Sequence, residues 1–496
     1  MKSIKMRGIC AAVTGALLFG FGANAMADST TDIVNALVAK GVLTEEEGAL
    51  LNKGREGEAA GQAKALKKAG KLKISDAIDN ATVYGDVRVR FEERSGTGTA
   101  GSTSTLVAGA DETRDRARYK ITAGVKTESG AWFSDLAFAM GANGRSDNAT
   151  FGKSATANMN DKEALYVKRA MIGYKATDWL TVSAGRMENP LYTTPMVWDA
   201  DLTVEGLAET VKYTMGDLDL FGTALQAQYQ GDRKNFSVGG GTDTFETELF
   251  AFQGGAKYKL SDRASAKAAV TYSFIGNNTS AATFKPGLAT DGSGMASVAA
   301  TYLADGTTLL TAAKTARTGY QLASYGTNDL STIEIPAEIN FMATSNIGIR
   351  AYGDYVWNTS ADDRANHSGL TTSGSSGSDD TAWLLGVVVG SAKDLKAFEG
   401  NKMAKGDWSA RLWYQDVGVW SVDANAVDSD FMDSRVNMKG TTFKAKYNLE
   451  DNVVLDLAYG HATRKNNTYG SAGAANDLAL NLDSFDLFQF DVTYKF

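Results

Sequence analysis

Six cations stand at alternate positions in two neighbouring stretches: Arg88 and Arg90 in the first, then Arg114, Arg116, Arg118 and Lys120 in the second. Successive side chains of a strand point to opposite faces, so a spacing of two gathers such residues into one charged row. A row of this kind makes and breaks no bonds. It can hold carboxylates, or bias which ions pass beside it. Arg350, Arg411, Lys444 and Lys446 fall on the polar parity of later stretches. Bond-making chemistry has little to draw on. Of the 2 histidines, His367 lies in a Ser/Gly/Asp stretch and His461 on an apolar parity, and neither has a serine–acid partner or metal-ligand spacing. No P-loop, dinucleotide fingerprint or zinc pattern is present, and Gly-rich stretches such as 238–241 read as loop tips. The expectation is no enzyme, no cofactor, no metal and no nucleic-acid partner.

From Thr82 onward the whole chain follows this period of two. Val87, Val89 and Phe91, then Ala117, Tyr119, Ile121, Ala123 and Val125, alternate with the arginines. An unpaired arginine facing lipid at mid-depth costs roughly 2–4 kcal/mol, so the arginine face must be wet. A water-soluble sandwich also alternates, but over strands of about 5–6 residues. These runs are about 10–16 residues, enough to cross a bilayer at a tilt. Short turns (175–178, 215–217, 260–262, 344–346, 450–452) alternate with long polar loops such as 95–112, 277–315, 360–379 and 465–482. This segregation of loop lengths belongs to membrane barrels. The expected fold is an all-β transmembrane β-barrel of about 16 antiparallel strands over residues 81–496. Pro336 predicts a bulge, and Tyr320–Tyr325 is either an extra strand or folded loop.

Residues 1–27 read as a secretory signal peptide. Lys2, Lys5 and Arg7 precede a short apolar core, and Ala25-Met26-Ala27 forms the cleavage site. The 1 cysteine, Cys10, lies within it, leaving the exported chain without thiol chemistry. Residues 28–80 carry apolar spacing of helical type and a Thr44/Glu47 capping box, which predicts a short helical periplasmic segment.

Two further motifs stand out. Phe490, Val492, Tyr494 and Phe496 alternate with polar residues, and a last strand ending in an aromatic resembles the signal read by the outer-membrane assembly machinery. The loop within 185–208 holds two of the 4 prolines, with Tyr192, Trp198, Asp199, Asp201 and Glu205. A floppy external loop has no need of that apolar content. Folded inward, it would narrow the bore and set its acids against the basic wall. Two readings of that wall stay open. It is either an anion-favouring lining or a salt-bridged scaffold with Asp86, Glu92, Glu163, Asp354 and Asp456.

The segment Gly185-Arg186…Asn189-Pro190…Val197-Trp198-Asp199…Asp201-Leu202…Glu205-Gly206 resembles the putative porin family of Gram-negative outer membranes. The block Gly406-Asp407-Trp408…Asp428-Ser429-Asp430-Phe431…Lys439-Gly440 is similar to it too. The resemblance implies a general-porin-like barrel in the lipid of the cell outer membrane, a homotrimer, and passive diffusion of small hydrophilic solutes past a third-loop constriction. The alternative is a barrel that sheathes a partner such as an electron-transfer cytochrome.

Overall fold

In a computed structural model the alternating runs form one closed antiparallel sheet. The structure describes residues 78–102, 105–141, 146–152, 162–230, 247–276, 284, 301–302, 309–311, 326–368, 379–391, 395, 403–471, 473 and 477–496. The expected signal peptide, the helical segment up to residue 77, and Tyr320–Tyr325 lie outside the described residues.

Sixteen staves make the wall. They begin with β1 (Asn80–Ser102), β2 (Thr105–Ser129), β3 (Trp132–Gly141, continued by Ala149–Thr150) and β4 (Ala164–Lys175). Next come β5 (Leu180–Glu188), β6 (Thr203–Met215), β7 (Leu218–Gln230), β8 (Thr247–Ser261) and β9 (Ala264–Gly276). β10 is split into Ser331–Glu334 and Ala337–Met342, followed by β11 (Gly348–Asn358), β12 (Thr381–Gly390) and β13 (Trp408–Val417). β14 (Met438–Glu450), β15 (Val453–Arg464) and β16 (Asn481–Lys495) complete it. Each stave sits where alternation predicted a strand. β16 pairs with β1 from Asp86↔Lys495 to Thr99↔Asn481, so the sheet has no free edge. Phe496 and Gly85 exchange backbone bonds of 3.0 Å across that seam. Only glycine fits at 85, because a Cβ there would lie 2.5 Å from the Phe496 ring.

Four local expectations change. The first hairpin stays paired to Ser102↔Thr105 instead of opening into a loop at Ser95, since its upper part is backed by β16. The loop after β11 carries a helix, α1 (Ala361–Ser368), with Asp362 and Asp363 favourably placed in its first turn. β13 stops at Val417, short of the end at Ser421 that alternation from Asp407 predicts, because the chain turns into the barrel, where Val419, Trp420 and Val422 are buried. Pro336 interrupts β10 outright, yet its carbonyl still accepts from Ala269 N–H at 3.1 Å.

The outer face is aliphatic at mid-height, with Val89, Leu136, Ile172, Val270, Ile339, Leu385 and Leu412 exposed. Beside the short turns it is ringed by Trp132, Trp179, Tyr213, Tyr258, Trp408, Tyr447 and Tyr494. An apolar band with aromatic girdles is the surface that a bilayer requires. No helix among the described residues is long and apolar enough to cross a membrane. The tightly packed apolar side chains lie inside, where long loops meet the inner wall.

Candidate functional site

Register dictates an electrostatic problem on the inner wall of β1 and β2. Arg88 faces Lys120, Arg90 faces Arg118 and Arg94 faces Arg114; only Glu92 meets an opposite charge, in Arg116. Like charges directly opposite destabilise a sheet. The compensation arrives from distant parts of the chain. Arg90 holds Asp491 of β16 through Nε and Nη2, at 2.8 and 2.9 Å, and reaches Asp430 at 2.8 Å. Glu92, fully buried, accepts from Arg116 Nε at 2.5 Å and Gln489 at 2.9 Å, and lies 3.1 Å from Arg94. Asp477 takes Arg114 at 2.8 Å and both ends of Arg116. Arg118 donates to Ser146 at 2.8 Å, Arg88 to Asn148 at 2.6 Å, and Lys120 stands 3.4 Å from Asp86.

Asp430 belongs to the seventh long loop (418–437) and Asp477 to the eighth (465–480). Both loops are thereby pinned to the wall from within. The seventh contains a left-handed turn, with φ of 58°, 54° and 57° at Met432, Asp433 and Ser434. Such conformations cost on the order of 1–3 kcal/mol each. Here the surroundings enforce them. The Asp433 carboxylate accepts from Arg94 (3.0 Å), Arg435 (3.2 Å) and the N–H groups of Asp477 and Leu478 (2.9 and 3.1 Å). Burial would raise Asp430, but the charges of Arg90, Lys444, Arg94 and Arg88 hold it well below the ordinary carboxylate range. Burial, and then Asp430 beside it, pushes Asp428 up.

The third long loop (189–202) crosses the bore. Leu191 and Trp198 pack on Met187, Val204, Ala208, Leu225, Ala227 and Ala251, a patch of mostly small inward residues that leaves room for them. From there it reaches β8, β10 and β11. Thr193 and Thr194 donate to Glu334 and Asp354, each at 2.5 Å, while Tyr192 exchanges two bonds of 2.9 Å with the Gln253 amide. Asp199 N–H donates to Ala426 O at 2.6 Å, its Oδ2 accepts from Ser429 N–H, and Asp428 N–H donates to Pro195 O. The third and seventh loops are thus stitched together.

All ten basic residues singled out in the sequence face inward. Arg350 is 3.2 Å from Glu338, and Arg411 is buried opposite Lys444. Tyr192, Trp198, Asp199 and Asp201 lie in the third loop. Trp198 is a packing anchor and Asp199 a backbone clamp, whereas Asp201 stands 3.9 Å from Lys168. Glu205 departs from expectation. It sits on β6 with its exposed side chain on the outer face, in an ion pair with Arg186, because parity turns its neighbour Val204 inward. Phe490, Val492 and Tyr494 line the outer face of the closing seam, opposite Phe91, Val89 and Val87. Sequence reasoning missed the inward folding of the seventh and eighth loops, the Thr193/Thr194 latch and Lys267. Val419, Trp420, Val422, Val427 and Phe431 gave the seventh loop the same unneeded apolar content that marked the third.

A family model described as putative porin matches residues 93–496. Among solved structures, OmpF of Salmonella typhi in complex with daunomycin is 13% identical, over 85% of this chain and 99% of that one, with a TM-score of 0.40. The outer membrane channel DcaP of Acinetobacter baumannii is 13% identical over 85% and 99%, with a TM-score of 0.37. No curated protein matches the chain.

Proposed function

The chain belongs to the putative porin family, and from that premise we propose that it is a passive channel for small hydrophilic solutes with a preference for anions. The observation that carries this reading is the third loop, held inside the bore by Glu334 of β10, Asp354 of β11 and the seventh loop. A barrel of this strand number encloses a water-filled lumen, and such a loop reduces it to a polar slot that sorts by size. Beside the slot Asp201 and Asp430 lie among Arg88, Lys120, Lys168 and Lys444, so both signs of charge border the path of an ion. Anion preference falls to the cations that keep water contact, among them Arg114, 40% exposed, and Arg88, 17%. The buried Arg90, Arg94 and Arg116 hold loops. Residues 1–27 act as the export signal, 28–80 as a periplasmic segment and Phe490–Phe496 as the assembly signal, and the barrel forms a homotrimer. A sheath for a partner protein is disfavoured, because the chain's own loops fill the space that a partner would need.

Reversal potentials across a planar bilayer in a salt gradient test the proposal. Wild type should prefer chloride over potassium, and R88Q/K120Q should lose much of that preference. A cation-preferring wild type ends the anion assignment, and absence of conductance ends the channel reading.

A further inference from the structure

Beneath the third loop, on the β6–β11 side, lies a cavity of about 880 Å³. Its cations are Lys212, Lys257, Lys267 and Arg350; its carboxylates are Asp219 and Glu338. Arg350 is tied to Glu338 at 3.2 Å, and Asp219 accepts from Thr214 at 2.7 Å while facing Lys257 in register. The balance is positive. Lys257 and Lys267 are direct cross-strand partners and both line the cavity, with Glu338 facing Lys267 from its other side. Beside them is an aromatic corner. Phe221 lies flat on the wall because residue 255 is glycine, where a Cβ would stand 2.3 Å from the ring. Tyr192 meets Phe221 edge-on, with centroids 6.3 Å apart at 87°. Lys267 Nζ is 3.5 Å from the Tyr192 centroid and 5.0 Å from that of Phe221.

We propose that this cavity is a binding station for small aromatic carboxylates. The inference rests on the channel reading and names its substrate class. The carboxylate would lie between Lys257 and Lys267, where charge-assisted hydrogen bonds are stronger than neutral ones. The ring would stack at Phe221 and Tyr192, where offset or edge-on contacts add to burial. Inorganic anions would use only the first half of the site, and aromatic amines would meet the wrong sign.

The experiment measures single-channel current of the full-length protein with benzoate, acetate or benzylammonium added, alongside calorimetric titration of benzoate into detergent-purified protein. Benzoate should interrupt the current and bind, acetate and benzylammonium should not. K257Q and F221L should each weaken benzoate about tenfold, the loss of one charged contact or one ring. K405Q, in the connection between β12 and β13 where it pairs with Glu450 and does not line this cavity, should bind like wild type. Equal binding by K257Q and wild type overturns the proposal, as does block by benzylammonium. Block by acetate as strong as by benzoate overturns the aromatic half. Current without benzoate binding or block removes the station and leaves the channel; binding without current does the reverse.

Discussion

The arginines of β1 and β2 and the lysines of β8 and β9 obey the same alternation and point into the same lumen, yet their surroundings differ. Arg90, Arg94 and Arg116 are buried among Glu92, Asp430, Asp433, Asp477 and Asp491. Lys257 and Lys267 line an open cavity whose carboxylates they outnumber, with Arg350 and Lys212. Direction is set by parity; role is set by what folds back against the row. Residue type agrees with this division. Guanidinium groups suit bidentate pairing with carboxylates, while an ammonium on a flexible stem serves as a point charge beside water.

Breaking the arginine side should have the largest effect. Glu92 is the most buried carboxylate shared by Arg94 and Arg116, which also hold Asp433 and Asp477. E92Q keeps the shape but removes one buried negative charge from among several guanidinium groups, which costs up to about 3–5 kcal/mol. Urea unfolding of the refolded barrel should show that loss, with K257Q, on the lysine side, shifting by less than about 1 kcal/mol. Equal stability of E92Q and wild type would erase the contrast between the two walls.

A smaller effect should appear where the two regions meet, at the third loop. T193V and T194V are near-isosteric and remove hydroxyl donors to the buried Glu334 and Asp354. Each leaves a buried acceptor short of a partner, worth about 1–3 kcal/mol. The barrel should stay folded, because its ladder bonds and apolar belt are untouched. The loop should loosen, so the double variant should show higher conductance and noisier open states. Unchanged current would mean that the apolar packing of Leu191 and Trp198 holds the loop unaided.

This hierarchy explains what could be read in the sequence. Strand positions and the inward direction of Arg88–Lys120 follow from a local period of two, and all sixteen staves were visible in it. The third loop betrayed itself by apolar residues where solvent was expected. The pairing of Arg94 with Asp433 spans 339 positions, and that of Arg90 with Asp491 spans 401. No local pattern encodes such partners. Glu205 misled because the acidic cluster was read as one loop, although β6 has already resumed at Thr203 and alternation sends Glu205 outward. The end of β13 was missed for the converse reason: Val419, Trp420 and Val422 are apolar enough for a strand but serve as an internal plug.

The smallest effect belongs to a charge pair in neither wall. His367 Nδ1, at the end of α1, lies 2.7 Å from Asp329 Oδ2, with the imidazole mostly exposed. The hydrogen bond to Asp329, and then its charge, raise the His367 pKa above the ordinary 6.5. A raised value in the folded state means stabilisation that is fully present below the unfolded pKa and fades as pH rises through the folded one. In water such a pair contributes little, because solvent screens it. Proton NMR titration of the His367 ring in an H461N background should therefore give a midpoint above 6.5 that D329N returns toward it. The urea midpoint, by contrast, should hardly move between the two sides of that titration. A large acid-side gain in global stability would place this exposed pair among the buried ones, and the rule that burial decides the worth of a charge in this barrel would not survive it.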